Sequence, residues 1–180
     1  MFRVVDALER AGVPYMLVGS YSSNAYGIPR STRDADFVIE LGNVSPNTIA
    51  ALLQPEIVID AQLRFETITG THRYIATHIS SDFTVELFLL TDDPHHVERF
   101  KRRHRVEVAD RALWLPTAED VVIQKLRWFA RGGRAKDRDD ARDVLAVQKG
   151  RLNLDYVRGW CAQHETVPLL EQLLSEVQSL

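Results

Sequence analysis

The stretch Val18–Leu41, VGSYSSNAYGIPRSTRDADFVIEL, decides how the chain is read. An apolar run, Tyr15-Met16-Leu17-Val18, delivers the small pair Gly19-Ser20, and Asp34-Ala35-Asp36 leads into a second run, Phe37-Val38-Ile39. The pattern predicts a strand, a tight turn opening a helix, and a second strand that begins with two carboxylates. Alternate residues of a strand share a face, so Asp34 and Asp36 converge, about 6–7 Å apart along the chain. Like charges that close repel unless a cation lies between them. Hard divalent ions such as Mg2+ take oxygen ligands, often one or two carboxylates plus substrate phosphates. The stretch therefore points to metal-dependent phosphoryl-transfer chemistry.

The wider sequence agrees with a folded, single-domain-sized protein. Its 180 residues are 45% hydrophobic and 26% charged, ordinary for a globular chain. A net charge of −3 argues against a general nucleic-acid coat, though not against a local RNA contact. One cysteine, Cys161, excludes an internal disulfide framework and suits a reducing compartment. The N-terminus carries Arg3, Asp6, Glu9 and Arg10, unlike a signal peptide, and no apolar run has the length of a membrane span. A cytoplasmic protein is the expectation.

Around the central stretch, spacing predicts helices over Phe2–Ala11, Ser20–Tyr26, Pro46–Leu53 and Pro94–Arg103. Ile57–Arg64 fits strand or helix. His72–Ile79 and Phe83–Leu90 read as a hairpin, with Phe83, Val85, Leu87 and Leu89 on one face and Thr84, Glu86 and Phe88 on the other. Val106–Val108 and Ala112–Leu115 are short extended pieces. Pro116-Thr117-Ala118-Glu119-Asp120 opens a helix with Thr117 as N-cap, an apolar stripe Val121, Val122, Leu126 and Phe129, and Gly132-Gly133 as its end. Helices near Asp137–Gln148, Leu154–Gln163 and Val167–Ser179 complete the chain. The fold class expected is α+β, a small mixed sheet flanked by helices and followed by a helical bundle. The expected division is 1–115 and 116–180.

Glu86 supplies a third carboxylate in an apolar strand, where a charge is costly unless paired or bound to metal. With its strand beside Asp34–Leu41, it would join the pair around two ions, and one carboxylate would accept the attacking hydroxyl's proton. Gly19 allows close approach of the backbone, and Ser20 at a helix start suits phosphate. Arg30 and Arg33 would offset developing negative charge.

Gly19-Ser20, Arg30-Ser31-Thr32-Arg33, Asp34-Ala35-Asp36 and Val85-Glu86-Leu87-Phe88 together resemble the polymerase-beta-like nucleotidyltransferase superfamily. The resemblance implies an NTP substrate, two Mg2+ ions (or Mn2+) on Asp34, Asp36 and Glu86, and phosphate binding at the Gly-Ser turn. Within the superfamily, the Arg30-x-Thr32-x-Asp34-x-Asp36 form resembles the AbiEii-type, abortive-infection nucleotidyltransferases. Pro116–Asp120, Lys125-Leu126 and Arg134–Asp140 are similar to that group's helical segment, which implies nucleotide roles for Lys125, Asp137 and Asp140. Glu86 stands where Asp is commoner in the family.

Plainer readings stand beside these. Asp34 and Asp36 fit a solvated strand entry, Glu86 an edge-strand charge, and Arg30, Arg33, Lys125 and Asp137–Asp143 ordinary surface charge. The basic run Arg99–Arg105 reads first as a solvated helix end and second as an RNA contact. His95-His96, after Asp92-Asp93-Pro94, resemble a transition-metal site but read first as surface, Trp114, Trp128 and Trp160 as packing, and Cys161 as a small buried hydrophobe. The leading expectation is an enzyme moving NMP from NTP to a hydroxyl on RNA, protein or a small molecule, antibiotics included. The alternative is a catalytically silent module binding a partner, such as one half of a toxin–antitoxin pair.

Overall fold

The computed structural model describes residues 1–178; the expected last-helix residue Ser179 lies outside them. α1 (Phe2–Arg10) buries Val4, Val5, Ala7 and Leu8, and β1 (Tyr15–Val18) is buried along its whole length. α2 (Gly19–Tyr26) follows without a linker and leads to β2 (Asp34–Ile39). α3 (Pro46–Leu53) starts at Ser45, whose side chain accepts from the Asn47 N–H, with Pro46 in the first turn. Next come β3 (Ile57–Ile59), β4 (Arg64–Glu66), β5 (Thr71–His78) and β6 (Thr84–Leu89). The ambiguous run after Ile57 is thus strand at both ends, pairing with β5.

These strands form one six-stranded sheet in the order β1-β2-β6-β5-β3, with β4 also on β5. β2 and β6 are parallel and every other pairing is antiparallel. The parallel pair is the one that carries the three carboxylates. One face packs on α1 and α3 through Phe37, Ile39, Val85 and Leu87. The other face carries Met16, Val18, Val38 and Phe88 towards Phe100 of α4 (Pro94–Arg102).

The two extended pieces before the helical region pair with each other, as β7 (His104–Val108) and β8 (Arg111–Leu115). Their two-residue turn is Ala109-Asp110, both at positive φ, 47° and 63°. That backbone suits tight hairpins, and Ala is an unusual occupant, which hid the turn from a sequence reading. A second hydrophobic cluster, from Ala118 to Val177, is built by α5 (Ala118–Gly132), α6 (Ala135–Val147), α7 (Leu154–Gln163) and α8 (Val167–Gln178). Among the described residues no helix is long and apolar enough to cross a membrane.

Two expectations need correction. His95 and His96 are not at the surface; they are 0% and 6% exposed. Asp93 caps α4 through the His95 and His96 amides, and α5 and α7 cover it. His95 Nε2 lies 3.3 Å from Asp120 Oδ1, and its ring sits 4.9 Å from that of Trp160. The basic run is not uniformly solvated either: Arg99 is buried, Arg102 pairs with Asp120, and Arg103 and Arg105 lie over Trp114. Local charge patterning does not reveal a helix held between the sheet and later helices.

Candidate active site

Register builds the site. In the antiparallel pair, Val18 lies opposite Asp36, so the residue after Val18 falls against the Asp36 carboxylate. That residue is Gly19, at φ +62°. A Cβ there would stand 1.9 Å from Asp36 Oδ2, so only glycine lets the turn and the carboxylate approach. The Gly19 carbonyl accepts from Ser22 Oγ at 2.9 Å and Ser23 Oγ at 3.2 Å, which fixes the turn. In the parallel pair, Asp36 lies opposite Glu86, on strands roughly 4.8 Å apart. Asp34 starts the same face of β2 and accepts from Thr32 Oγ1.

The three carboxylates share one cleft. Gly19, Ser20, Lys125 and Asp137 line it too. Burial, then the neighbouring Asp34 and Glu86 charges, push the Asp36 carboxyl up to about 7, against the opposing pull of Lys125 and Lys136. Burial also raises Glu86, with Asp34 and Glu66 adding to it, while Arg73 opposes. Asp36 and Glu86 thus bring two carboxylates to adjoining register positions. An all-oxygen set of this kind fits a hard divalent cation. Among the described residues, no three His, Cys, Asp or Glu side chains are already gathered tightly enough to hold one. Glu86 is turned to Arg73, with 2.7 Å between Oε2 and Nη1.

The other expected residues take distinct places. Lys125, 3% exposed, reaches Asp137 Oδ1 at 3.0 Å and Asp140 Oδ2 at 2.8 Å. Arg30 does not line the cleft; it clasps Asp140 through Nε at 2.9 Å and Nη2 at 3.1 Å and donates to Ser20 Oγ at 2.9 Å. Burial raises the Asp140 carboxyl, but Arg30 and Lys125 outweigh it and hold it below its usual value. A chain of contacts therefore ties the turn to both helices: Ser20, Arg30, Asp140, Lys125, Asp137. Thr32 binds Asp34 and stays outside the cleft lining, as does exposed Arg33.

Several lining residues escaped the sequence reading: Glu66, Thr69, Arg73, Phe88, Arg134 and Lys136. Trp128, expected as packing, is 8% exposed and also lines the cleft. Arg134 pairs with Asp137 at 2.7 Å, and exposed Lys136 stands at the rim. Their one sequence signal was the basic spacing Arg134-x-Lys136 ahead of Asp137.

Superposition on solved structures identifies the architecture. The structure of ANT(2'')-Ia in complex with adenylyl-2''-tobramycin matches with a TM-score of 0.63 at 11% identity, over 91% of this chain and 94% of that one. The chain has the nucleotidyltransferase fold. A nucleotidyltransferase-like protein from Paracoccidioides brasiliensis shares it, with a TM-score of 0.53 at 16% identity over 97% and 90% of the two chains. So does the lincosamide antibiotic adenylyltransferase LnuA, solved with lincomycin bound, with a TM-score of 0.53 at 17% identity over 81% and 94%. No family model matches the sequence, and no curated protein does. At such identities the likeness is one of fold. In this nucleotidyltransferase fold the carboxylate strands β2 and β6 form the centre of the sheet, and α5 and α6 close the cleft over them.

Proposed function

We propose that the chain is a divalent-metal-dependent nucleotidyltransferase that moves NMP from an NTP to a hydroxyl acceptor. The observation that carries this reading is the pairing of Asp36 with Glu86 across β2 and β6, with Gly19 pressed against Asp36. Asp34, Asp36 and Glu86 would hold the cation, which when bound supplies positive charge to the phosphates and acidifies the attacking hydroxyl. Gly19 and Ser20 offer backbone N–H groups at the start of α2 to phosphate oxygens. Lys136 at the rim of the facing wall would balance triphosphate charge, beside Lys125 and Arg134, which are paired with Asp137 and Asp140. Glu86 would hold the cation and assist removal of the hydroxyl proton. The acceptor oxygen bonds to the α-phosphorus as the bond to the β-phosphate oxygen breaks, and pyrophosphate leaves with that electron pair.

The acceptor we favour is a small molecule with a free hydroxyl. ANT(2'')-Ia, bound to adenylyl-2''-tobramycin, and the lincosamide adenylyltransferase LnuA support this as neighbours of like fold. The abortive-infection subgroup rests on the Arg30-x-Thr32-x-Asp34-x-Asp36 form with Lys125, Asp137 and Asp140, and leaves RNA and protein as the other acceptors. The Arg73–Glu86 ion pair favours a second reading, a silent partner-binding module whose third carboxylate is permanently neutralised. Calorimetry with Mg2+ and each of the four common NTPs separates the two. An NTP-dependent heat that disappears in Asp36→Asn supports the enzyme; no heat with any NTP supports the module.

A further inference from the structure

Among the described residues, Arg73 is the one cation lining the cleft that pairs with a proposed metal ligand. It stands opposite Phe88 on β5, two residues along from the partner of Glu86, Ile75. The two side chains therefore share a sheet face on a cross-strand diagonal, within reach of long side chains. Only Nη1 is spent on Glu86; Nε is buried with no hydrogen-bond partner, and the guanidinium lies 5.5 Å from the Phe88 ring centroid. Both side chains are partly open to the cleft, 24% and 21% exposed. Apart from Arg73, the charges acting most strongly on Glu86 are the like charges of Asp34 and Glu66.

We propose that Arg73 is an exchangeable counter-ion for the third carboxylate, a positioning residue that holds Glu86 until a divalent cation and the triphosphate arrive together. This rests on the nucleotidyltransferase reading above. In the metal-free protein, Arg73 Nη1 holds the Glu86 carboxylate at Oε2. A divalent cation on Asp34 and Asp36 competes for the same oxygens. Once Glu86 turns to it, the guanidinium is left charged, with Nε already unpartnered, beside the place where triphosphate oxygens would lie. Arginine suits the second role because its planar fork matches phosphate. The exchange couples the ligands: the cation alone binds weakly because it must displace Arg73, and the triphosphate restores the favourable pairing.

The signature is a pair of effects with opposite sign. In Arg73→Met, Mn2+ alone, titrated by calorimetry or electron paramagnetic resonance, is expected to bind about tenfold more tightly, the scale of one charge-assisted hydrogen bond. With Mn2+ saturating, a non-hydrolysable NTP analogue is expected to bind about tenfold more weakly. Arg73→Lys, which keeps the charge, should return both constants towards wild type and guards against a folding defect in the methionine variant. A purely structural arginine would weaken both ligands together, and that result, or unchanged constants, overturns the exchange while the reading stands if Glu86→Gln still weakens Mn2+. No Mn2+ binding by wild type or any variant would overturn both.

Discussion

Gly19 and Asp36 function as a unit, because the backbone at one occupies the space that a side chain would need beside the other. Gly19→Ala must both tolerate φ +62° and move a carboxylate that stands 1.9 Å from the new carbon. Nucleotide transfer in this variant is expected to fall by roughly a hundredfold or more, the usual cost of an ångström-scale misplacement, with kcat more affected than NTP affinity. Asp36→Asn should separate function from stability. The folded chain holds the Asp36 carboxyl at about 7, against an ordinary value of 3.8, so its neutral form is favoured by the fold. Stability of the metal-free protein is therefore lost as pH rises from about 4 through 7. At pH 8 without divalent ions, Asp36→Asn is expected to be more stable than wild type by roughly 2–4 kcal/mol in denaturant titration. An equal or lower stability would remove the claim that this carboxylate is strained. At this scale the sequence was informative where chemistry is local. Asp34 and Asp36 are two residues apart on a strand, and Glu86 is conspicuous among apolar neighbours. Glu66 and Arg73 were not legible, since only the pairing of β4 and β5 beside β6 brings them to the cleft, and Lys136 showed only as part of the Arg134–Asp140 segment.

At the scale of elements, α2, α5 and α6 are joined by buried charge rather than by apolar contact alone. Lys125 sits between Asp137 and Asp140, and Arg30 crosses from the loop after α2 to Asp140. Removing the central cation would leave two carboxylates, 0% and 6% exposed, without it. Lys125→Met is expected to destabilise the chain by about 3–5 kcal/mol in urea unfolding, as for other buried charges that lose a partner. Restoring much of that loss in the triple variant Lys125→Met, Asp137→Asn, Asp140→Asn would show that the cost is electrostatic. Lys125 was marked for the site from the sequence. Arg30 was expected at the phosphates, yet its guanidinium is engaged by Asp140 and the Ser20 hydroxyl, a partnership 110 residues apart in sequence that no spacing rule reveals.

For the whole molecule, the sheet and the helical layer respond to pH in opposite senses. The contact between α4 and the later helices buries His95, His96 and Arg99 beside Asp93, Asp120 and Arg127. Burial, then the Arg99 charge, depresses His96 from 6.5 to about 3, with Asp93 pulling the other way. The unfolded chain therefore binds a proton below about 6.5 that the folded chain refuses, and stability falls as pH falls. Between pH 7 and 5 this group alone is worth about 2 kcal/mol. His96→Gln is expected to flatten that acid limb in chemical denaturation, and an unchanged slope would refute the assignment. The helix order was legible where caps and periodicity mark it, as at Ser45 of α3 and Thr117 of α5, whereas Ile57–Arg64, which holds β3 and the start of β4, fitted strand or helix. The burial of α4 was not legible, because it depends on α5 and α7 returning to cover a helix with a polar sequence.

The central claim is that Asp34, Asp36 and Glu86 activate an NTP for transfer to a hydroxyl. The direct measurement is incubation of the purified chain with Mg2+, α-labelled NTPs and a cell extract, followed by fractionation into RNA, protein and small molecules. Mg2+-dependent label is expected in one fraction with matching pyrophosphate release, and none with Asp36→Asn. Equal labelling by wild type and Asp36→Asn, or pyrophosphate release independent of Mg2+, would contradict it.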